Sequence, residues 1–224
     1  LNADDETTLE MKSKAKHLSI TFGFKEGADI LGSALSIFYG ESGEPEGIIF
    51  RVDEGGKSLP VVIEGVFGRN HVYASLAALA LSSGLKLNMI SAAESLKNYD
   101  VPPGRMRLLR GIESSLIIDD TYNSSPFACE SALHTLGETK FTGRKISILG
   151  DMLELGKHTV EAHKNIGKIV KENADILIIV GQRAKSIKEG AIEAGMNTEN
   201  PPDGRAGIFE FLDSYEAGNF IKTF

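Results

Sequence analysis

Residues 175–181 read D-I-L-I-I-V-G, an apolar run that starts after an aspartate and ends at a glycine. Such a run is typical of a strand that is buried on both faces, as in a parallel sheet covered by helices. Amphipathic helical patterns lie on both sides of it, so strand and helix alternate four times from residue 114 onward. We therefore predict an α/β, Rossmann-like domain with a mostly parallel sheet. Its predicted strands cover residues 114–118, 145–149, 175–180 and 207–211, and its predicted helices cover residues 126–136, 160–172, 184–194 and 214–223.

The chain before this domain has a different pattern. Short β-rich pieces at residues 17–24, 35–39, 47–53 and 58–63 predict a mostly antiparallel sheet, and residues 73–85 and 91–98 predict two helices. The stretch Y-D-V-P-P-G at residues 99–104 cannot continue a helix, because proline lacks the amide donor and restricts the residue before it. We place the domain boundary there, which gives domains 1–99 and 100–224.

Composition narrows the class of protein. The 224 residues carry 31 acidic and 24 basic side chains, and a net charge of −7 argues against a nucleic-acid partner. A single cysteine, Cys129, excludes an internal disulfide, and no apolar run reaches the ~18–20 residues of a membrane span. The histidines are scattered, so no metal site is predicted. We expect a cytoplasmic protein, and the opening at Leu1 leads us to expect a piece of a longer chain.

The first candidate site follows the strand predicted at residues 114–118. In open parallel sheets, ligands bind beyond the carboxyl ends of the strands. Here the loop offers a carboxylate, a phenol, an amide and hydroxyls from Asp120, Tyr122, Asn123, Ser124 and Ser125. The alternative is a helix cap, since Ser125 followed by proline is a normal start of a helix.

The second candidate site follows the strand predicted at residues 145–149. Gly150 allows a sharp turn, after which Asp151 and Glu154 could hold an ammonium group. The alternative is an ordinary acidic loop. The glycine after the strand at residues 175–180 is assigned no function.

Three more polar residues lie in or near the first domain. Arg105 follows the proline-rich stretch and could fork onto a phosphate, although a solvated surface arginine is the alternative. Asn70 could cap the alanine-rich helix while His71 faces a ligand, and capping alone is the other interpretation.

In the second domain, His163 lies within an amphipathic helix and is interpreted as structural.

Taken in order, these segments resemble the Mur ligases, and among them most closely the MurF type. The segments that carry the resemblance are L-N-A-D-D at 1–5, T-F-G at 21–23, A-D-I at 28–30, G-R-N-H-V-Y-A-S-L-A-A at 68–78, G-R-M at 104–106, I-D-D-T-Y-N-S-S-P at 118–126 and L-G-D-M-L-E-L-G at 149–156. They cover nearly the whole chain, and their order and spacing are more specific than any one of them.

The resemblance implies a monomeric ligase of peptidoglycan synthesis that uses ATP and Mg²⁺. It activates the carboxylate of a UDP-N-acetylmuramoyl-tripeptide as an acyl phosphate, which the amine of D-Ala-D-Ala then attacks. Residues 1–99 would be the end of its P-loop ATPase-type central domain. By the same resemblance Asn70 and His71 lie near the adenine, Arg105 near the phosphates and Asp120 near the ribose. The dipeptide site would be lined by Tyr122, Asn123, Ser124, Ser125, Asp151 and Glu154.

The chain departs from the family pattern in two places. The family usually shows His-Asn before the alanine-rich helix and a second asparagine one turn later, whereas this chain has Asn70-His71 and Ala74. It also has no Gly-x-x-x-x-Gly-Lys-Ser/Thr loop, so we assign no catalytic residue and expect no ligation by this chain alone. The Mg²⁺ ligands are expected upstream. Two other interpretations stay open: another ligase of the superfamily, such as a folylpolyglutamate synthase or a different Mur ligase, and a non-catalytic Rossmann-like binding protein.

Overall fold

The chain forms two compact units, Leu1–Asp119 and Asp120–Phe224. Their description rests on a computed structural model that covers residues 1–17, 19–198 and 207–222. The last residue of the helix predicted at residues 214–223 lies outside this range. The proline-rich stretch at residues 99–104 belongs to the first unit, and the predicted division of the domains at residue 99 stays a prediction.

An antiparallel sheet forms the centre of the first unit. Strands β2, β3 and β4 pair antiparallel in that order, and the short β1 adds to β2 in parallel, so the prediction of a mostly antiparallel sheet is confirmed. The elements of this unit are α1 (Glu6–Lys14), β1 (Phe22–Gly23), β2 (Ile30–Tyr39), β3 (Pro45–Glu54), β4 (Lys57–Glu64), α2 (Arg69–Gly84), α3 (Met89–Ser95), β5 (Arg107–Arg110) and β6 (Leu116–Asp119).

Two boundaries near the start of the chain differ from the prediction. Of the strand predicted at residues 17–24, residue 18 lies outside the described residues, and Phe22–Gly23 form β1. Directly before β1, Asp29 accepts hydrogen bonds from the amide and the hydroxyl of Thr21, both at 2.7 Å. Helix α1 was missed. Asp5 caps its first turn, but none of its residues is buried, so it lacks the apolar periodicity by which a packed helix is found.

Asp4 holds the beginning of the chain against helix α2. Its carboxylate accepts hydrogen bonds from the amides of Phe24 at 2.8 Å and Lys25 at 2.7 Å, and from the hydroxyl of Tyr73 at 2.7 Å. Burial by itself raises the pKa of this carboxyl, but these hydrogen bonds and the nearby Arg69 outweigh burial, and the net pKa is lowered. The L-N-A-D-D segment is therefore an anchor of the first unit.

The strand predicted at residues 114–118 is not part of the parallel sheet, which corrects the prediction that it belongs to the mostly parallel sheet of the second domain. It forms β6, which pairs antiparallel with β5, for example Leu108 opposite Ile118. The turn between them is closed by a hydrogen bond from the amide of Gly111 to the carbonyl of Ser115 at 2.8 Å. Because β5 and β6 are close in sequence, their pairing costs little chain entropy. The short apolar run of β6 does not by itself show which strand it pairs with.

The second unit is Rossmann-like, as predicted. Its three described strands run parallel in the order β7-β8-β9, and helices separate them along the chain. The elements are α4 (Pro126–Glu138), β7 (Ile146–Leu149), α5 (Thr159–Asn173), β8 (Ile176–Val180), α6 (Lys185–Glu193), β9 (Gly207–Phe211) and α7 (Ser214–Ile221). Over the residues described, every helix in the chain falls short of the length and apolar character that crossing a membrane requires.

Strand β8 is buried on both faces, as the run D-I-L-I-I-V-G predicts. Leu177 and Ile179 pack into the larger core with residues of α4, α5 and α6, whereas Ile176 and Ile178 pack into a second core with residues of α7. Successive side chains of a strand point to opposite faces, so four adjacent apolar residues require cover on both sides. The helices supply that cover.

Helices α5 and α6 approach each other closely through two glycines. A Cβ atom at Gly167 would run into the carbonyl oxygen of Ile187 and lie 2.6 Å from the amide nitrogen of Ala191. A Cβ atom at Gly190 would run into the carbonyl oxygen of Lys164. Because these obstacles are backbone atoms of the facing helix, a larger residue at either position must push the helices apart.

Replacing either glycine by alanine should destabilise the second unit. We expect Gly167→Ala and Gly190→Ala to lower the free energy of unfolding by about 1–3 kcal/mol or more, through overpacking against backbone. The matched control is Gly218→Ala in α7, where an added Cβ meets no atom within 4 Å. It should be neutral or stabilise by about 0.5–1 kcal/mol. Urea unfolding of the three variants decides the matter, and equal stability of all three would contradict the close-packing argument.

The lowered pKa of Asp4 makes the first unit sensitive to acid. Its stabilising contribution is complete above the ordinary pKa of 3.8 and is lost as the pH falls through the lowered folded-state pKa. We expect Asp4→Asn to reduce the loss of stability between neutral pH and about pH 3. The measurement is hydrogen exchange of the β2–β4 amides in urea at several pH values. Glu26→Gln, an exposed carboxylate of the same unit, should leave the pH dependence unchanged.

Candidate functional site

The start of helix α2 shows Asn70 on the outside. The helix begins after Gly68, whose φ of 92° lets the chain turn sharply and which makes no side-chain cap bond. The hypothesis that Asn70 caps this helix is therefore wrong, because Asn70 is its second residue and is exposed. Its amide is accessible to a ligand. Ala74 is exposed one turn further along.

His71 lies on the inner side of the same helical turn. Only 7% of the residue is exposed, its Nε2 lies 2.8 Å from the carbonyl oxygen of Arg105, and its Nδ1 lies 3.2 Å from the hydroxyl of Tyr99. Adjacent helical residues are 100° apart, which explains why Asn70 and His71 face different surroundings. The ring of His71 is thus engaged within the chain rather than presented to a ligand.

Cationic side chains remain at the surface near this helix. Arg105 is exposed, while its backbone carbonyl is held by His71. Arg69 is exposed as well, and its guanidinium carbon lies 3.8 Å from the centre of the Phe24 ring, a cation–π distance. The first unit therefore offers guanidinium and amide groups of the kind that bind phosphates and bases.

In the second unit, the polar loop before α4 does contain the predicted helix cap. The Ser125 hydroxyl accepts a hydrogen bond from the amide of Ala128 at 3.3 Å, and Pro126 occupies the first helical position. Asn123 accepts a bond from the amide of Ser124 at 2.9 Å, and Tyr122 is 70% exposed. The capping alternative is confirmed for Ser125, and it leaves the phenol of Tyr122 at the surface.

Asp120 influences the single cysteine of this unit. Burial raises the pKa of the Cys129 thiol to about 12, with a further contribution from the negative charge of Asp120. The thiol is therefore protonated at neutral pH. Cys129 is a core residue of α4 and does not act as a nucleophile.

A groove of about 250 Å³ lies between helices α4 and α5. Pro126, at the start of α4, lines it together with His158 and Glu161, at the start of α5. None of the residues predicted to bind the dipeptide lines this groove. The remaining lining is mixed, with the carboxylate of Glu130 and the apolar Ile166.

Asp151 is engaged at the start of helix α6. Its Oδ1 accepts a hydrogen bond from the buried amide of Ala184 at 2.8 Å. The carboxylate also lies against Gly181, where φ is 108° and a Cβ atom would be 2.6 Å from Oδ1. Gly181, to which the sequence assigned no function, therefore makes room for Asp151. The negative charge also suits the positive end of the helix dipole.

Glu154 differs from Asp151 in its exposure and in its backbone conformation, and His163 supports the turn that contains both residues. Glu154 is exposed, with a left-handed φ of 62°, a strained conformation for a residue with a side chain. The fully buried His163 accepts a hydrogen bond from the amide of Met152 at 3.0 Å and bonds through Nδ1 to the carbonyl of Thr159 at 2.7 Å. His163 thus has the structural role predicted for it.

The predicted site residues are divided between the two units. Asn70, His71 and Arg105 belong to the first unit, and the remaining predicted residues, Asp120 to Glu154, belong to the second.

Within residues 1–17, 19–198 and 207–222, no group of three or more His, Cys, Asp or Glu side chains could hold a metal ion. The partnership of His71 with Tyr99 was not predicted, since nothing in the spacing of these residues indicates it.

The family described as "Mur ligase, glutamate ligase domain" matches residues 104–221, which is more than half of the chain. The chain belongs to the Mur ligase family. A curated relative of this Mur ligase chain, the UDP-N-acetylmuramoyl-tripeptide–D-alanyl-D-alanine ligase of Bacillus subtilis, is 30% identical over 129 residues, which are 57% of this chain and 28% of the relative. This assignment agrees with the resemblance carried by the motifs.

Solved structures of Mur ligases have the same fold. A MurF crystal structure from Acinetobacter baumannii covers the whole chain with a TM-score of 0.79 at 24% identity, and the match takes up 44% of that structure. The MurF ligase of Thermotoga maritima in complex with ADP covers 95% of this chain and 49% of its own, with a TM-score of 0.65 at 20% identity. The chain thus spans less than half the length of these proteins, and the structural likeness shows the fold alone.

The contact between Asp151 and Ala184 can be tested by mutation. We expect Asp151→Ala to lower the free energy of unfolding by about 1–2 kcal/mol, because the buried amide loses its acceptor. Asp151→Asn, whose amide oxygen can still accept, should lose less. Glu154→Gln is the matched control from the same turn and should stay within about 0.5 kcal/mol of the original chain. Urea unfolding gives the values, and an Asp151→Ala variant as stable as the control would refute the anchoring role.

Proposed function

We propose that this Mur ligase chain is part of an ATP-dependent amide ligase that adds D-Ala-D-Ala to a UDP-N-acetylmuramoyl-tripeptide in peptidoglycan precursor synthesis. The observation that carries the proposal is the family match over residues 104–221 together with the 30% identity to a ligase of that name. The carboxylate would take the terminal phosphate of ATP to give an acyl phosphate and ADP. The dipeptide amine would then attack the acyl carbon, so that the C–N bond forms as the C–O bond breaks and inorganic phosphate and a proton are released.

The proposed nucleotide contacts are Asn70, Arg105 and Asp120. Asn70 and Arg105 are exposed and supply an amide and a guanidinium, which suit a base and a phosphate respectively. His71 fits a nucleotide less well, because its two ring nitrogens are engaged with Tyr99 and Arg105. Magnesium is part of the proposed reaction.

The proposed dipeptide contacts suit a zwitterion. Capped by Ser125, the start of α4 directs backbone amides and the positive end of the helix dipole toward the loop of Tyr122, Asn123 and Ser124, an arrangement that favours the carboxylate end. The exposed carboxylate of Glu154 would attract the ammonium end. Asp151 would act mainly by holding the turn, since it already binds the amide of Ala184.

A monomer in the cytoplasm, where ATP and UDP-linked precursors are available, completes the proposal. The chain by itself should not ligate, since the sequence contains no phosphate-binding loop. Another ligase of the superfamily is the second candidate, because a folylpolyglutamate synthase shares the fold with a TM-score of 0.57. The names of the curated relatives favour the D-Ala-D-Ala enzyme.

The decisive measurement is phosphate release from ATP by this chain joined to a segment with a phosphate-binding loop from one of the Mur ligases to which it is similar. With UDP-N-acetylmuramoyl-tripeptide present, we expect release to depend on D-Ala-D-Ala and not on glutamate or single amino acids. Asn123→Ala should raise the KM for D-Ala-D-Ala about 10- to 100-fold, the loss expected for a hydrogen bond to a charged group, without changing the KM for ATP.

The control for this assay is His134→Gln, an exposed histidine in the same unit, which should have no effect. Release that requires a different acceptor would assign the chain to another ligase of the superfamily. If no acceptor supports release, the chain is a binding protein and the proposal is wrong.

A further inference from the structure

The hydrogen bonds of His71 define the protonation of its ring. A carbonyl oxygen can only accept, so the 2.8 Å contact with Arg105 requires the proton on Nε2. Nδ1 lies 3.2 Å from the Tyr99 hydroxyl, and the two rings also meet edge to face with their centres 5.6 Å apart. The ring of His71 therefore joins helix α2 to two points further along the chain.

Those two points enclose the proline-rich stretch that leads to Arg105. Tyr99 is the first residue of this stretch and Arg105 directly follows its last, so the His71 side chain closes the base of the loop. Within it Val101 is buried, and the amide of Gly104 donates to Asp119 at 3.0 Å. The stretch is thus held against the first unit at both ends and in the middle.

The backbone next to Arg105 is strained and tightly held. Met106 is buried and has a φ of 52°, a conformation that usually costs about 1–3 kcal/mol in a residue other than glycine. Its carbonyl accepts a hydrogen bond from the amide of Phe67 at 2.9 Å, and its side chain packs over Gly68. Such strain persists only where the surroundings impose it, and His71 holds the carbonyl of the residue directly before Met106.

We propose that His71 is a positioning residue, which holds the backbone of Arg105 so that the exposed guanidinium is presented to the nucleotide phosphates in one orientation. The inference rests on the proposed function, because it takes Arg105 as a phosphate contact. It gives His71 a different role from direct contact with adenine. Asn70, on the outer side of the helix, keeps the direct contact.

The first test is spectroscopic and uses the chain as it is. Nitrogen-15 spectra of the histidine side chains report which ring nitrogen carries the proton. We expect a proton on Nε2 of His71, and Tyr99→Phe should shift its Nδ1 signal. A ring without a proton on Nε2 would overturn the inference, since it could not donate to the Arg105 carbonyl.

The second test is kinetic and uses the phosphate-release assay with the joined chain. We expect His71→Leu to raise the KM for ATP about tenfold with little change in kcat, the effect of losing the support behind a binding group. His71→Gln, which can still donate to the Arg105 carbonyl, should recover part of the affinity. In a double-mutant cycle, His71→Leu should add little once Arg105→Ala is present. His134→Gln serves as the histidine control.

The outcomes separate the inference from the function on which it rests. If Arg105→Ala raises the KM for ATP and His71→Leu does not, the positioning role is wrong and the proposed function stands. Additive effects of the two variants would also overturn the positioning role. If neither variant changes the KM for ATP, Arg105 is not a phosphate contact and that part of the proposed function fails. Should His71→Leu not fold, Tyr99→Phe and His71→Gln give the same comparison.

Discussion

Burial of strand β8 on both faces is the constraint on which the second unit depends. Each fully buried aliphatic side chain contributes about 1.5–3 kcal/mol relative to exposure, so the four residues 176–179 need apolar cover on both sides. Helices α5 and α6 supply it on one face and α7 on the other. The loops that connect the strands to the helices then lie at the ends of the strands. These loops carry the polar residues.

Much of the polar chemistry in these loops serves the backbone. Asp151 binds the amide of Ala184, His163 binds the amide of Met152, and Asp4 binds two amides in the first unit. A buried amide without an acceptor is costly, so tight turns draw on nearby side chains. A polar residue at the end of a strand can therefore bind either the backbone or a ligand. Its exposure to solvent distinguishes the two roles. Tyr122 and Glu154 remain exposed.

The sequence predicted the parallel sheet, its two-sided cover and the antiparallel sheet before it, because hydrophobic periodicity reports burial directly. It did not predict the pairing of β6 with β5, since a short apolar run does not show which strand lies beside it. Helix α1 was not predicted, because an exposed helix has no buried apolar stripe by which it can be recognised. For the candidate site, the sequence pointed to polar segments and could not tell a ligand-binding side chain from a structural one.

What the sequence by itself determined is the family, the class of the fold and the two polar loops, since these depend on residue types and their spacing along the chain. Only the tertiary structure decided the direction in which each polar group points. Asn70 and His71 are neighbours in sequence, yet one is exposed and the other is buried against Tyr99 and Arg105. The physical reason is that hydrogen-bond partners come from distant segments, and packing alone brings those segments together.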